Sequence, residues 1–181
     1  AAGYTYLANS PLVSQIAFKQ SGTPRMTTTR QWDFLNRLGS IGSVPAATNQ
    51  LPLSYGYLCN DANQRVRVSV GDGSFWVYAY DVLGQVIWGK RYWSDGTPVP
   101  GQQFEYGFDD IGNRTLAKAG GDAAGGSLRS ASYTNNLANQ LTSRGVPGGL
   151  DVVGVATSGA SVTVNSSPAD YRRGEEFQEL V

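Results

Sequence analysis

The sequence predicts an all-β fold of stacked antiparallel hairpins, and three observations predict it. Glycine is abundant at 23 residues and aromatics reach 11%, a mixture that suits short strands joined by turns better than helices. Polar and apolar residues alternate, as where Arg65, Arg67 and Ser69 interleave with Val66, Val68 and Val70, giving one wet face and one covered face. A turn signal also recurs along the chain, at roughly the interval of a two-strand unit.

The turn signal fixes the elements in order. Taking Leu12, Asn36, Asn63, Gly84, Gly112 and Asn139 as anchors, the residues three positions earlier are Asn9, Asp33, Asn60, Asp81, Asp109 and Asn136. All six are Asp or Asn. Such a side chain at the first position of a type I turn accepts a hydrogen bond from the backbone two residues on. Gly84 or Gly112 at the fourth position then tolerates the left-handed conformation that closes the turn, as Asn does elsewhere. Six residues before the anchors stand Tyr6, Arg30, Tyr57, Tyr78, Tyr106 and Tyr133, and four before stand Ala8, Trp32, Cys59, Tyr80, Phe108 and Asn135. These columns differ by two residues, so they share one strand face. Each unit reads as strand, tight turn, strand. Because a lone hairpin is marginal in water, successive units are expected to pair edge to edge. The Gly/Pro/Ser-rich stretches QSGTPR, IGSVPAATNQLP, WSDGTPVPGQ and AGGDAAGGS read as the loops between units.

Composition removes several function classes. Fourteen basic residues balance fourteen acidic ones, so nothing marks a nucleic-acid partner or an anionic membrane surface. With no histidine in the chain, neither a Ser/His/Asp nor a Cys/His catalytic group can form, nor a histidine-ligated zinc site. Cys59 is the single cysteine and reads as a small apolar strand residue. Runs such as LDVVGVA fall far short of the roughly 20 apolar residues that span a bilayer as a helix. The opening AAGYTY, with neither methionine nor a signal-peptide pattern, reads as part of a longer protein.

Several motifs imitate sites. GQVIWGK approaches a phosphate-binding loop, but Arg91 stands where a hydroxyl is needed and Val-Ile-Trp reads as strand. Asp122 lies in AGGDAAGG, which lacks the nonapeptide recurrence of calcium-binding β-helices, and reads as a loop residue. Asp109/Asp110 and Glu175/Glu176 are adjacent pairs whose members point to opposite sides of a strand, so neither reads as a catalytic carboxylate pair. No catalytic residue, cofactor ligand or metal ligand is therefore assigned. The sequons at Asn113 and Asn165 matter only in a glycosylating secretory route. The aromatics outside the repeat columns, Trp76, Trp88, Tyr92 and Trp93, read as filling the sheet's inner face, with a stacking platform for a carbohydrate as the alternative.

An aromatic strand ending in Tyr-Asp and followed by Gly-Asn/Gln resembles the RHS/YD-repeat family. YAYDVLGQV (78–86) and FEYGFDDIGNRT (104–115) carry the resemblance most clearly, followed by RQWDFLNRL (30–38) and YGYLCNDANQRV (55–66). YTYLANSPLV (4–13) and YTNNLANQLT (133–142) are weaker copies. The resemblance covers roughly residues 3–145, within a repeat region expected over residues 1–145. It implies a curved or spiralling sheet in the wall of a shell belonging to a large secreted or cell-surface bacterial protein. Implied partners are neighbouring repeats of the parent chain and an enclosed cargo or toxin domain, and the implied role is non-enzymatic. The autoproteolytic Asp-Pro-rich core of cargo-releasing relatives has no counterpart, because the chain contains no Asp-Pro dipeptide.

Residues 146–181 lack the Tyr-Asp unit. They alternate at Ala160, Val162 and Val164, and Gly-Glu-Glu-Phe leads into a further strand. This segment resembles the opening strands of a small immunoglobulin-like sandwich module; equally, it reads as a cap on the repeat sheet.

Overall fold

The computed structural model describes residues 1–181 and contains strands and turns only. It divides into two compact units, Ala1–Trp76 and Val77–Val181. In the first unit β1 (Ala2–Tyr6), β2 (Val13–Gln20), β3 (Thr23–Trp32), β4 (Leu38–Pro45), β5 (Leu53–Cys59) and β6 (Arg65–Val70) pair antiparallel in chain order. The unit boundary falls inside β7 (Phe75–Tyr80). In the second unit β7 is followed in sheet order by β8 (Val86–Tyr92), β9 (Pro98–Phe108), β10 (Arg114–Gly120), β11 (Leu128–Asn135) and β12 (Leu141–Arg144). These are the antiparallel stacked hairpins that the alternation and the turn signal predict.

The repeat turns share one construction. Asn36, Asn63, Gly84, Gly112 and Asn139 each take a positive φ between 60° and 89°. Each donates its N–H to the carbonyl three residues back, at 2.9–3.1 Å. Strand register slips next to the turn, between Gln31 and Trp32, Leu58 and Cys59, and Thr134 and Asn135. A type I turn followed by one left-handed residue and a bulge gives this geometry, and its twist matches that of the flanking strands. The first copy differs. There Asn9 itself has φ 57°, Ser10 N donates to the Leu7 carbonyl, and Ser10 Oγ accepts from Leu12 N. Asn9 therefore does not open this turn: the loop closes between Leu7 and Leu12, one residue longer than the loop closed by Asp33 and Arg37, and it opens at Leu7.

The stretches read as loops are partly strand. β4 takes in Ile41–Pro45, and β9 takes in Pro98–Gln102. Pro98 is tolerated as a first strand residue, and a bulge at Gly101, φ 74°, absorbs Pro100. Three turns use the repeat geometry at the opposite end of the sheet: Gly73 bonds back to Val70, Gly96 to Trp93, and Gly125 to Asp122.

Apolar packing is concentrated in the second unit, where Val99, Pro100 and Ala131 are buried, as is Gln103. Gln103 Nε2 donates to the carbonyls of Arg91 at 2.7 Å and Val99 at 3.2 Å, so this buried amide fills the bulge without leaving its donors unmet. The C-terminal residues form β13 (Asp151–Val155), β14 (Thr163–Val164), β15 (Ser167–Pro168), β16 (Tyr171–Arg173) and β17 (Glu176–Leu180). They make a three-stranded sheet in the order β13-β17-β16 and a two-stranded ribbon. The strand expected through Ala160, Val162 and Val164 shrinks to the two-residue β14, which the positive φ of Asn165 ends on its C-terminal side.

Candidate functional site

Two constructions organise the chain: a latch at five of the six repeat turns, and a dock for the C-terminal sheet. In the latch the Asp or Asn accepts backbone N–H groups across its own turn. Asp81 Oδ1 takes them from Leu83 and Gln85 at 2.9 and 2.8 Å, and Asp33 Oδ1 from Leu35 and Arg37, both at 2.9 Å. Asp109 and Asn136 repeat the pattern, and Asn60 accepts from Gln64 N. At four of these turns the residue just after the anchor completes the latch from the side. Arg37 Nε meets Asp33 at 2.6 Å, Asn60 Nδ2 reaches Gln64 at 2.7 Å, Asn113 Nδ2 reaches Asp109 at 2.9 Å, and Asn136 Nδ2 reaches Gln140 at 2.9 Å.

These flanking residues also cross to the next turn. Arg37 Nη1 donates to the Asn60 carbonyl and to Asn63 Oδ1, at 3.2 and 2.8 Å. Asn113 Nδ2 donates to Asn139 Oδ1 at 3.2 Å. Within each unit, one hairpin's latch thus sets the position of its neighbour. Arg37 and Asn113 carry this role, in a column completed by Gln64, Gln85 and Gln140, and the sequence reading missed it. Its signal was present as five long or amide side chains in the slot after the anchor. Over the strands, arginines cover the tyrosine column: Arg65 Cζ lies 4.1 Å from the Tyr57 ring centre and Arg114 Cζ 4.9 Å from that of Tyr106, within cation–π range.

The dock joins β16, β17 and β13 to β8–β11. Trp93 Nε1 donates to Tyr171 Oη at 3.1 Å, and the Arg173 guanidinium lies 4.8 Å from the Trp93 ring centre. Arg173 also pairs with Asp95 at 2.9 Å, and Arg91 with Glu176 at 3.3 Å. Arg129 of β11 pairs with Asp151 of β13, which also accepts from Gln178 Nε2 at 2.9 Å. Beside this pair lies a pocket of about 330 Å³ lined by Asp122, Ser127, Arg129, Asp151, Tyr171 and Leu180. Asp122 opens a turn instead of lying idle in a loop: it accepts from Ala124 N, Gly126 N and Ser127 Oγ.

The four aromatics proposed for ligand stacking have separate surroundings. Trp93 spends its indole N–H and a ring face on the dock. Trp88 lies across from Glu105 in the β8–β9 pair, with Lys90 Nζ 5.8 Å from its ring centre. Tyr92 ends β8, and Trp76 belongs to the first unit. All four are half-buried. Of the adjacent carboxylates, Asp109 is held in its latch and Asp110 is exposed.

Hydrogen bonds hold several carboxyls below their ordinary values. Asp95 is lowered mainly by Arg173 and then by Thr97, Asp122 by Ser127, Asp109 by Asn113, and Asp33 by the backbone N–H of Arg37. Glu105, bridging Lys90 at 2.6 Å and Lys118 at 3.2 Å, is lowered mainly by Lys90. A carboxyl whose pKa is depressed in the folded chain stabilises it above the unfolded pKa, and that contribution is lost as pH falls through the folded pKa. Urea midpoints are therefore expected to stay level from pH 7 down to about 5 and to fall progressively below the ordinary values of 4.5 for Glu and 3.8 for Asp. A midpoint unchanged at pH 3 contradicts these assignments.

No family model matches the sequence, and no curated protein matches it. Solved structures do match. The Photorhabdus luminescens Tc holotoxin pore aligns with TM-score 0.63 at 15% identity over 89% of this chain. A crystal structure of TcdB2-TccC3-Cdc42 aligns with TM-score 0.58 at 13% identity over 86%. This chain spans only 7% and 8% of the length of those chains. At such identities the likeness is one of fold: the stacked antiparallel hairpins expected from the resemblance to RHS/YD repeats are the architecture this chain shares with the Tc toxin chains.

Proposed function

We infer that the chain is a non-enzymatic wall segment of a large secreted or cell-surface bacterial protein, in which repeat hairpins form part of a shell that encloses or displays a cargo domain. The observation that carries this reading is the latch shared between successive turns, from Arg37 to Asn63 and from Asn113 to Asn139. Within each unit it ties one hairpin to its neighbour without a large core, which is the requirement on a thin wall extended by repetition. Residues 1–145 supply the repeats, and residues 146–181 serve as a docked β cover on the second unit. The shared fold with Tc toxin chains supports the same role.

In the latch, the Asp81 carboxylate accepts two backbone N–H groups. Replacing it with Ala leaves both donors to water and is expected to cost about 1–2 kcal/mol in urea unfolding. In the parent protein, the cargo is expected to resist protease while the wall is intact and to be digested when Asp81→Ala and Asp109→Ala are combined. Equal digestion with and without the two replacements sinks the wall reading. Saturable glycan binding lost in Trp88→Ala or Trp93→Ala points instead to carbohydrate recognition, and hydrolase activity lost in Asp110→Asn points to an enzyme.

A further inference from the structure

The first unit is a single layer of strands, and the two faces of that layer differ in chemistry. Residues opposite one another on antiparallel strands share a face. The register therefore puts Ile16, Phe18, Ile41, Leu53, Tyr55 and Val68 on the face that carries Tyr57 of the repeat column. Gln15, Thr27, Thr29, Ser40, Ser54 and Ser69 lie on the other. A sheet that is apolar on one side buries that side against a second layer. This unit contains no second layer, and Leu53 is 56% and Tyr55 38% exposed.

One charge stands on the apolar face. Arg30 lies opposite Ile41 and fills the column position that is tyrosine in the five other copies. It is half-buried, no carboxylate pairs with it, and its buried Nε has no hydrogen-bond partner. Such a group calls for an acceptor. The second unit shows what supplies one. There Arg91 and Arg129 lie on the face that carries Tyr106, and carboxylates of the docked cover, Glu176 and Asp151, meet them. Charge follows the same division. Residues 1–76 carry six basic and three acidic side chains, a net +3, whereas residues 146–181 carry two basic and five acidic ones, a net −3.

We propose that the apolar face of the first unit is a docking surface for an acidic β segment of a separate polypeptide, which lays apolar side chains on Phe18, Ile41 and Leu53 and pairs a carboxylate with Arg30. A second copy of this chain does not supply that carboxylate. Its first unit adds another Arg30, with Asp33, Asp61 and Asp72 all in turns, and its cover already spends Asp151 and Glu176 on its own second unit. Six strands about 4.8 Å apart, five residues deep at about 3.3 Å each, give a footprint of roughly 500 Å² per partner, which places the contact among weak and transient ones. The assignment needs only the face and its arginine, so it stands or falls apart from the wall reading.

The probe is a synthetic β-hairpin with a valine face and one glutamate at the centre of that face. It is titrated into the full 181-residue chain up to about 1 mM, alongside the same hairpin with glutamine or lysine at that position. Saturable binding is expected to rank Glu over Gln over Lys, and to shift the NMR signals of β2–β5 amides while those of β9–β11 stay in place. Arg30→Met should weaken the Glu hairpin about tenfold and leave the Gln hairpin unchanged, and Arg30→Glu should turn the preference to lysine. If Arg30→Glu does not fold, Arg30→Met decides alone. Leu53→Ser should weaken all three hairpins alike. Absence of binding, a Kd blind to the hairpin's charge, or binding lost in Arg91→Met and kept in Arg30→Met overturns the proposal. So does a chain that dimerises through this face and excludes the hairpin, which assigns the face to a second copy.

Discussion

Gly101→Ala is expected to loosen the C-terminal sheet from the second unit at a cost of roughly 2–4 kcal/mol. Two effects add. Gly101 sits at φ 74°, where an L side chain costs about 1–2 kcal/mol. A Cβ there would also lie 2.8 Å from Val153 Cγ1 and 3.2 Å from Gln178 Cγ. Ordinary carbon contacts need about 3.5–4.0 Å, so β13 and β17 must retreat, and overpacking of this kind typically costs a further 1–3 kcal/mol. The Gly101 N–H also donates to the Gly121 carbonyl at 2.8 Å, which anchors the bulge from the other side. Hydrogen exchange should accelerate at the amides of β13, β16 and β17 and stay unchanged in β2–β4 of the first unit. Pairing the change with Val153→Ala separates the causes, because relief of the clash should recover about half of the loss and leave the backbone strain. A Gly101→Ala chain as stable as the wild type means the dock is looser than its geometry implies.

The sequence makes the repeat turns legible for a physical reason. One turn chemistry recurs, and Asp33, Asp81 and Asp109 carry it with residues that few other roles require. The alternation in β6 is equally legible, and its burial alternates residue by residue from Arg65 to Val70. Column identity failed at Asn9, where a loop one residue longer closes on the Leu7 carbonyl instead. The flanking column from Arg37 to Gln140 passed unread because its members differ in type, and only their common geometry reveals that Arg37 and Asn113 do the same job.

The dock was illegible for another reason. Trp93 and Tyr171, or Asp95 and Arg173, are 78 residues apart in the chain. No local pattern names such partners. Trp93 therefore read as a candidate stacking residue, although its surroundings are a structural contact. The exposed carboxylate Asp110, which the latch does not use, kept its catalytic look only while its turn was read alone.

The Arg129–Asp151 pair gives the other large effect. Side-chain exposure is 18% for Arg129 and 10% for Asp151, and Gln178 supplies a further hydrogen bond to the carboxylate. Asp151→Ala strands a mostly buried guanidinium. Breaking a fully buried pair costs about 3–5 kcal/mol, and the remaining exposure here reduces that to roughly 2–4 kcal/mol. Arg129→Met combined with Asp151→Ala should recover much of the loss, because the cost lies in the uncompensated charge more than in a missing attraction. Asp95 and Arg173 provide the control: their side chains are 51% and 38% exposed, so water screens the pair and Asp95→Ala should move the urea midpoint far less. Equal losses at Asp151 and Asp95 mean that burial does not set the strength of the dock. A double replacement no better than Asp151→Ala alone assigns its strength to the pair's attraction instead.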